Sequence, residues 1–228
     1  MMFPSRPNLL RMFSMGLAML LLVGTMSGCN SILRRQALDS MAAGDLSTAD
    51  VKLRRAIVQN PGDYRAHWYL AEIRLRQKQP LAAQQLLGHA LKQHPDGPDT
   101  PKLLDLMAES LYQQNEPSLL TSFLADTASQ RKNVSDYLRQ ARYLSAIGDT
   151  DGVNLAFLKG AKFAKVDDPR PYLAAIQYYE SIQDRERVVT ALRHAYYIKP
   201  NDPKLQEQLR RYGIVPGPTV GLAPLSQM

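Results

Sequence analysis

The sequence contains a single cysteine and few arrangements of residues suited to chemistry. Cys29 has no second thiol with which to form an internal disulfide, and residues 24–34 contain no His, Asp or Glu that could join it in a metal site. The four histidines lie in no HExxH motif and no Cys/His cluster, and neither a GxSxG motif nor a phosphate-binding loop is present. The sequence therefore predicts no metal, no cofactor and no enzymatic activity.

Long hydrophobic runs are also scarce. The longest uncharged apolar run, residues 12–26, follows Arg6 and Arg11 and precedes a short stretch of small residues. Its 15 residues are fewer than the roughly 20 that a membrane-spanning helix needs. A positive start, a short apolar core and small residues at the end predict a secretory signal peptide over residues 1–28.

The segment Met26-Ser27-Gly28-Cys29 resembles the lipobox of bacterial lipoproteins, although Met26 departs mildly from the usual leucine. The resemblance implies cleavage before Cys29, a diacylglycerol thioether on its sulfur, and acylation of the new amine by a fatty acid such as palmitate. Several acyl chains on one residue give durable anchoring. In enterobacterial lipoproteins an Asp after the cysteine implies retention in the inner membrane, so Asn30 implies the periplasmic face of the outer membrane. The alternative is an ordinary signal peptide with a chance cysteine.

The charge of the remaining chain is modest. Removal of residues 1–28 leaves 200 residues with 26 basic and 21 acidic side chains. This excess could favour an acidic partner or anionic headgroups if it formed a patch. It is too small to predict nucleic-acid binding, and export would separate the protein from most nucleic acid.

A period of 34 residues is the strongest pattern in the mature chain. Ala37 and Ala71 are 34 residues apart, and Ala108 and Ala141 occupy the same place in weaker copies. The same spacing separates Ala49 from Ala83, Leu53 from Leu87, Ala56 from Ala90, and Pro61 from Pro95. The later segment 185–202 repeats the ending with Leu192, Ala195 and Pro200. A fixed period of this length indicates a repeat protein.

These positions resemble the tetratricopeptide repeat, a helix–turn–helix unit of 34 residues with small residues in both helices and a closing proline. Small residues let two helices approach closely, and the proline ends the second helix. The resemblance implies an all-α, right-handed solenoid of about five repeats, whose first helices line a concave groove. The expected closing proline is missing after Gln130.

The predicted organisation follows from this period. The repeat domain spans residues 29–202, divided at about 30–63, 64–97, 98–133, 134–168 and 169–202. A helix over 203–212, with Pro203 in its first turn and a charged face, is expected to cap the open end of the solenoid. The tail 213–228 is rich in Gly and Pro, which predicts a flexible, extended segment.

Helical spacing points a set of charged and aromatic side chains toward the predicted groove. These partner-binding candidates are Arg34, Arg65, Trp68, Glu72, Arg76, Glu109, Tyr112, Arg142 and Gln177. Trp, Tyr and Arg are the most frequent anchors of protein interfaces. Trp68 could equally fill the core between repeats, and the arginines could form a solvated face.

Two further patterns have a structural and a functional interpretation. The sequence GDTDG at 148–152 begins like a calcium loop but lacks the third acid and the distal Glu, so it is interpreted as a turn with Asp149 as a helix cap. The tyrosine-rich segments 172–182 and 193–200 are typical of packing between stacked helices. An aromatic strip that binds carbohydrate is the alternative.

The sequence predicts a non-enzymatic scaffold: an outer-membrane lipoprotein that binds protein partners in an envelope machine. The resemblance extends to repeat-bearing lipoproteins that assist assembly of pili and secretion systems. The alternative is a repeat lipoprotein that handles carbohydrate or peptidoglycan in polysaccharide export or cell-wall synthesis. The oligomeric state stays open.

Overall fold

The computed structural model describes residues 31–227, and these residues form helices and turns without a β-strand. The predicted lipobox, including Cys29, lies outside the described residues. The described residues divide into two compact units, with the boundary between residues 110 and 111. The division falls inside a helix rather than between two predicted repeats.

The first unit contains two helical hairpins and most of a fifth helix. Residues 31–42 form α1. It is followed by α2 (Leu46–Gln59), α3 (Tyr64–Arg76), α4 (Pro80–Gln93) and α5 (Thr100–Gln113), whose last turn belongs to the second unit. Helix α3 packs on both α2 and α4.

The second unit continues the alternation. Its helices are α6 (Pro117–Arg131), α7 (Val134–Ala146), α8 (Thr150–Lys162), α9 (Arg170–Ser181), α10 (Arg185–Ile198) and α11 (Pro203–Arg211), and a 3-10 turn covers Leu225–Gln227. Helices α7 and α8 pack together, as do α9 and α10. The all-α fold of repeated helical hairpins is therefore confirmed, whereas the hand of the superhelix stays a prediction.

The residues that recur every 34 positions are the ones buried between helices. Ala37, Ala71, Ala108 and Ala141, which occupy one place in successive repeats, are each at most 2% exposed. The second helices bury an equivalent trio: Ala49, Leu53 and Ala56 in α2, Ala83, Leu87 and Ala90 in α4, and Val188, Leu192 and Ala195 in α10. Small side chains at these places let the backbones approach, and the larger ones fill the space between helices.

Side-chain caps fix the starts of many helices. Asp45, Asp63, Asn133, Asp149 and Asp184 each accept a hydrogen bond from a backbone N–H in the first turn of the helix that follows. Asp149 binds the N–H of Gly152 at 2.9 Å, which confirms that GDTDG is a capped turn.

The turn inside each hairpin uses one residue in the left-handed conformation. Gly44 and Gly148 hold this place with φ near +80°, while Lys78, Asn115 and Gln183 hold it with φ near +60°. Glycine adopts this conformation without steric cost, and other L-residues are strained in it. Helix α6, which lacks the closing proline, ends instead with Lys132 in the left-handed region.

The end of the chain is ordered by packing. Helix α11 buries Leu205 and Leu209 against the core of the second unit and exposes its charged face, as expected of a capping helix. The tail after residue 213 is extended for most of its length. The sequence predicted a flexible tail, whereas hydrogen bonds join the described part of the tail to α9 and α10. Within residues 31–227, none of the helices combines the length and the apolarity that crossing a membrane requires.

Candidate partner-binding surface

The residues predicted to line a groove lie on the first helices of the hairpins. In the first unit, Arg34 is on α1, Glu109 is on α5, and Arg65, Trp68, Glu72 and Arg76 are on α3. In the second unit, Tyr112 is in the last turn of α5, Arg142 is on α7 and Gln177 is on α9. Each unit therefore presents its own part of the set.

Arg34 has an internal partner. Its guanidinium forms an ion pair with Asp63, whose side chain is 6% exposed. Asp63 also caps α3 by accepting a hydrogen bond from the Ala66 N–H at 3.2 Å. The pair ties α1 to the start of α3, and the charge of Arg34 is largely neutralised before any partner binds.

Arg65 belongs to a polar cluster at the start of α3. Its Nη2 lies 3.1 Å from Oδ2 of Asp99, and its Nε donates to the Tyr64 hydroxyl at 3.0 Å. Tyr64 in turn donates to Oδ2 of Asp99 at 2.8 Å. This bond from Tyr64 is the chief reason that the pKa of Asp99 is lowered, while burial, followed by the bond to Asp99, raises the pKa of Tyr64. The cluster fixes the α4–α5 loop to α3.

A ring stack supports the same loop. The Tyr64 ring lies parallel to that of His94, with 4.3 Å between the centroids. His94 ends α4, and its loop is closed further by the hydrogen bond from the Gly97 N–H to the Thr100 hydroxyl at 2.9 Å. Arg65 thus has a structural role, and its contact with a partner stays a prediction.

Trp68 is half-buried. Its indole N–H donates to Oε1 of Glu72 at 2.8 Å, and its ring stacks on Tyr69 with 5.0 Å between the centroids. Tyr69 packs against the core of the first unit. Because the indole donor is already satisfied, Trp68 offers a partner mainly the remaining face of its ring.

Arg76 is the most available cation of α3. It is exposed in the last turn of the helix, and no ion pair or hydrogen bond is recorded for it within residues 31–227. Its neighbour Arg74 behaves differently, because it forms an ion pair with the buried Asp50 of α2. Among the predicted cations of the first unit, Arg76 is the best placed to reach a partner.

An aromatic and cationic cluster lies in the second unit. The guanidinium carbon of Arg142 is 4.8 Å from the centroid of the buried Tyr143 ring, and Tyr112 lies 5.9 Å from the same centroid in a tilted arrangement. Tyr112 is 41% exposed, and Arg142 is exposed as well. Gln177 is also exposed, on α9. Tyr143 was not predicted from the sequence, because its contact with Tyr112 joins two helices.

The other tyrosines mostly pack inside the second unit. Tyr172, Tyr179 and Tyr196 are each at most 7% exposed and belong to its core, while Tyr197 is 47% exposed. The interpretation of the tyrosine-rich segments as packing is therefore confirmed for the buried rings. Across residues 31–227, no group of three acidic, His or Cys side chains is arranged to hold a metal ion.

The comparisons with known proteins agree with this architecture. Residues 40–117 match the tetratricopeptide repeat family. The MamA protein is 14% identical, with a TM-score of 0.55 over 84% of this chain and 100% of that one. The C-terminal part of a TPR repeat-containing protein from Cytophaga hutchinsonii is 16% identical, with a TM-score of 0.54 over 79% of this chain and 73% of that one.

A third structure is PilW, a widely conserved type IV pilus biogenesis factor, which is 16% identical over 79% of this chain and 98% of that one. Its TM-score of 0.38 is too low to support an inference about function. Among curated proteins, no sequence matches significantly. Identities this low show the fold alone. Residues 40–117 match the tetratricopeptide repeat family, and the helical hairpins that follow them have the same kind of fold.

Proposed function

We propose that this protein is a lipid-anchored adaptor of the bacterial envelope. Acyl chains on Cys29 hold it at the periplasmic face of the outer membrane, and the first helices of its repeats bind a protein of an envelope machine such as a pilus or secretion system. Tetratricopeptide repeats are protein-interaction scaffolds. The observation that carries the proposal is the regular burial of one face of each first helix, which leaves another face with exposed Arg and Tyr side chains.

The anchor is supported by the sequence. Cys29 follows a short apolar segment and small residues, and it precedes the first described helical residue, Ser31, by two positions. A lipid on Cys29 would therefore hold the repeats close to the membrane surface. Two or more acyl chains anchor a protein stably, whereas a single chain does so only marginally.

The binding surface is supported by the types of residue exposed on the first helices. Arg76 in the first unit and Tyr112 and Arg142 in the second are exposed on first helices. Arg and Tyr are enriched among the residues that dominate the binding energy of interfaces. A protein partner is the class of ligand that such a surface fits best.

Site-directed photocrosslinking in living cells tests the surface. A photoreactive phenylalanine analogue is placed at Arg76, Tyr112 or Gln177, and at Arg55 or Lys92 as matched controls, which are exposed on the second helices α2 and α4. We expect one envelope protein to be crosslinked from the first-helix positions and not from the controls. Equal crosslinking from both sets would refute the assignment of the surface. If no protein is crosslinked from any position, glycan binding becomes the hypothesis to test.

The anchor is tested separately. The mass of the mature protein should exceed that of residues 29–228 by a diacylglycerol and an acyl chain, and Cys29→Ala should release the protein from outer-membrane fractions. A wild-type protein found unmodified in the soluble periplasm would contradict the anchor without affecting the surface.

A further inference from the structure

The C-terminal tail forms a defined complex with the last repeat. Residues 213–228 contain no charged side chain, and the described part of this segment runs along α9 and α10 of the second unit. A mobile tail would have no fixed hydrogen-bond partners. Four hydrogen bonds join the described part of this tail to α9 and α10, and each of them uses a main-chain group of the tail.

The four bonds lie between residues 220 and 225. Arg193 Nε donates to the carbonyl of Val220 at 2.8 Å, and the carbonyl of Arg193 accepts from the N–H of Leu222 at 3.1 Å. His194 Nδ1 is 2.9 Å from the carbonyl of Ala223. The N–H of Leu225 donates to the Tyr172 hydroxyl at 2.8 Å.

The two rings that contact the tail are themselves held in place. The ring of Tyr172 stacks on that of His194, with 4.9 Å between the centroids. Because a carbonyl only accepts, His194 donates from Nδ1 to Ala223. Both rings are buried with the tail in place, and their stacking holds them in one orientation for this contact. Contacts of this kind recognise the backbone of an extended peptide.

One glycine of the tail packs tightly against α10. A Cβ on Gly221 would lie 3.0 Å from Cβ and 3.1 Å from Cα of Tyr197, so the tail would have to move away from α10 to accept it. A Cβ on Gly217, four residues earlier, would have no atom within 4 Å. A larger residue is therefore disfavoured at position 221, whereas position 217, outside the contacts with α9 and α10, has room for one.

The tail leaves part of the site unfilled. A cleft of about 320 Å³ opens between α8, α9 and α10, with Phe157, Leu158 and Ala175 among its apolar walls and Leu225 at its edge. Clefts of this size hold small ligands or side chains. Leu225 borders this space, and a larger apolar side chain at the same position would bury more surface.

We propose that Tyr172, Arg193, His194 and the adjoining cleft form a binding site for an extended, uncharged, glycine-containing apolar peptide. The tail occupies it in the free chain, and a partner segment of the same chemistry takes it by displacing the tail. This site shares no residue with the first-helix positions of the proposed function, since Arg193 and His194 belong to the second helix α10 and Tyr172 is a buried residue of α9. It can therefore be correct even if the proposed function is wrong.

The test uses the full mature chain with Cys29→Ala and a labelled peptide of residues 219–227. Three versions are compared by fluorescence anisotropy: the unchanged tail, Gly221→Ala and the matched control Gly217→Ala. We expect the Gly221→Ala chain to bind the peptide about 10-fold more tightly than the other two, because its own tail competes less. Equal affinity in all three chains would overturn the proposal.

Variants of the peptide and of the site give a second readout. A peptide with Leu225→Phe should bind several-fold more tightly by filling the cleft, and one with Gly221→Ala should bind about 10-fold more weakly. In the Gly221→Ala chain, His194→Phe keeps the stack and removes the donor, and should weaken binding about 3- to 10-fold. Circular dichroism checks that each variant is folded.

Two outcomes would count against the partner part of the proposal. Tight dimers of the unchanged chain that dissociate on addition of the peptide would make a second copy the occupant. A Leu225→Phe peptide that binds no better than the natural one would show that the cleft does not contribute to recognition.

Discussion

The repeat register makes a sharp prediction for two leucines of one helix. Leu87 is fully buried in α4, whereas Leu81, in the first turn of the same helix, is 59% exposed. Leu87→Ala removes three carbons, for which burial alone contributes about 2.4 kcal/mol, and the cavity left behind adds to the loss. We expect a decrease of about 3 kcal/mol in the free energy of unfolding for Leu87→Ala, and less than about 0.5 kcal/mol for Leu81→Ala.

The single tryptophan supplies a local assay. Trp68 lies on α3, which packs against α4, so its fluorescence reports the unfolding of this hairpin. Repeat proteins can unfold in parts, and a signal from one hairpin is therefore easier to interpret than a global one. With a urea dependence of about 1–3 kcal/mol/M, the midpoint for Leu87→Ala should fall by about 1–3 M. Equal midpoints for the two variants would refute the register on which the buried face of α4 is assigned.

Three more predictions follow from single features. Hydrogen bonds from the hydroxyl and the N–H of Thr48 hold the pKa of Asp45 at about 2. The Asp45 carboxylate should therefore stabilise the fold above pH 4, and this effect should be lost as the pH falls toward 2. In urea titrations, Asp45→Asn should remove this part of the pH dependence of the free energy of unfolding. Lys78 and Gly148 both have a left-handed backbone conformation. In denaturant unfolding, Lys78→Gly should therefore stabilise the α3–α4 hairpin by up to about 1 kcal/mol, and Gly148→Ala should destabilise the α7–α8 hairpin by about 1–2 kcal/mol. Asp50→Ala should cost about 2–4 kcal/mol by removing the buried carboxylate that pairs with Arg74 and Arg54. A double-mutant cycle of Asp50 and Arg74 should give a coupling of about 1–3 kcal/mol, and independent effects would contradict the ion pair.

Much of the fold could be predicted because its signals are local. Asp45 and Asp184 cap helices through backbone groups three residues away, and Pro80 occupies the first turn of α4. Such signals need no tertiary contact, and the helix predicted over 203–212 accordingly agrees with α11 (Pro203–Arg211) to within one residue.

The binding surface was less predictable because it depends on contacts between distant residues. Helical spacing placed Arg65 at the surface, but it could not show that Asp99, 34 residues later, neutralises it. In the same way, Gly and Pro in the tail predicted an extended chain. The docking of the tail depends on Tyr172 of α9 and His194 of α10. The sequence around these two residues gives no sign that they bind the tail.

The internal pairing of arginines changes how the basic charge of this protein should be interpreted. Ion pairs within the repeats join Arg34 to Asp63, Arg65 to Asp99, Arg74 to Asp50, Arg170 to Asp168, and Arg187 to Asp184. The fields of each pair largely cancel within a few ångströms, so these arginines contribute little to the surface charge. The pairs fix helices and loops to one another. Because each pair uses one base and one acid, the basic excess is carried by the other basic residues. Under the two proposals above, the choice of partner would rest on exposed side chains such as Tyr112 and Arg76, and on peptide backbone bound at α10.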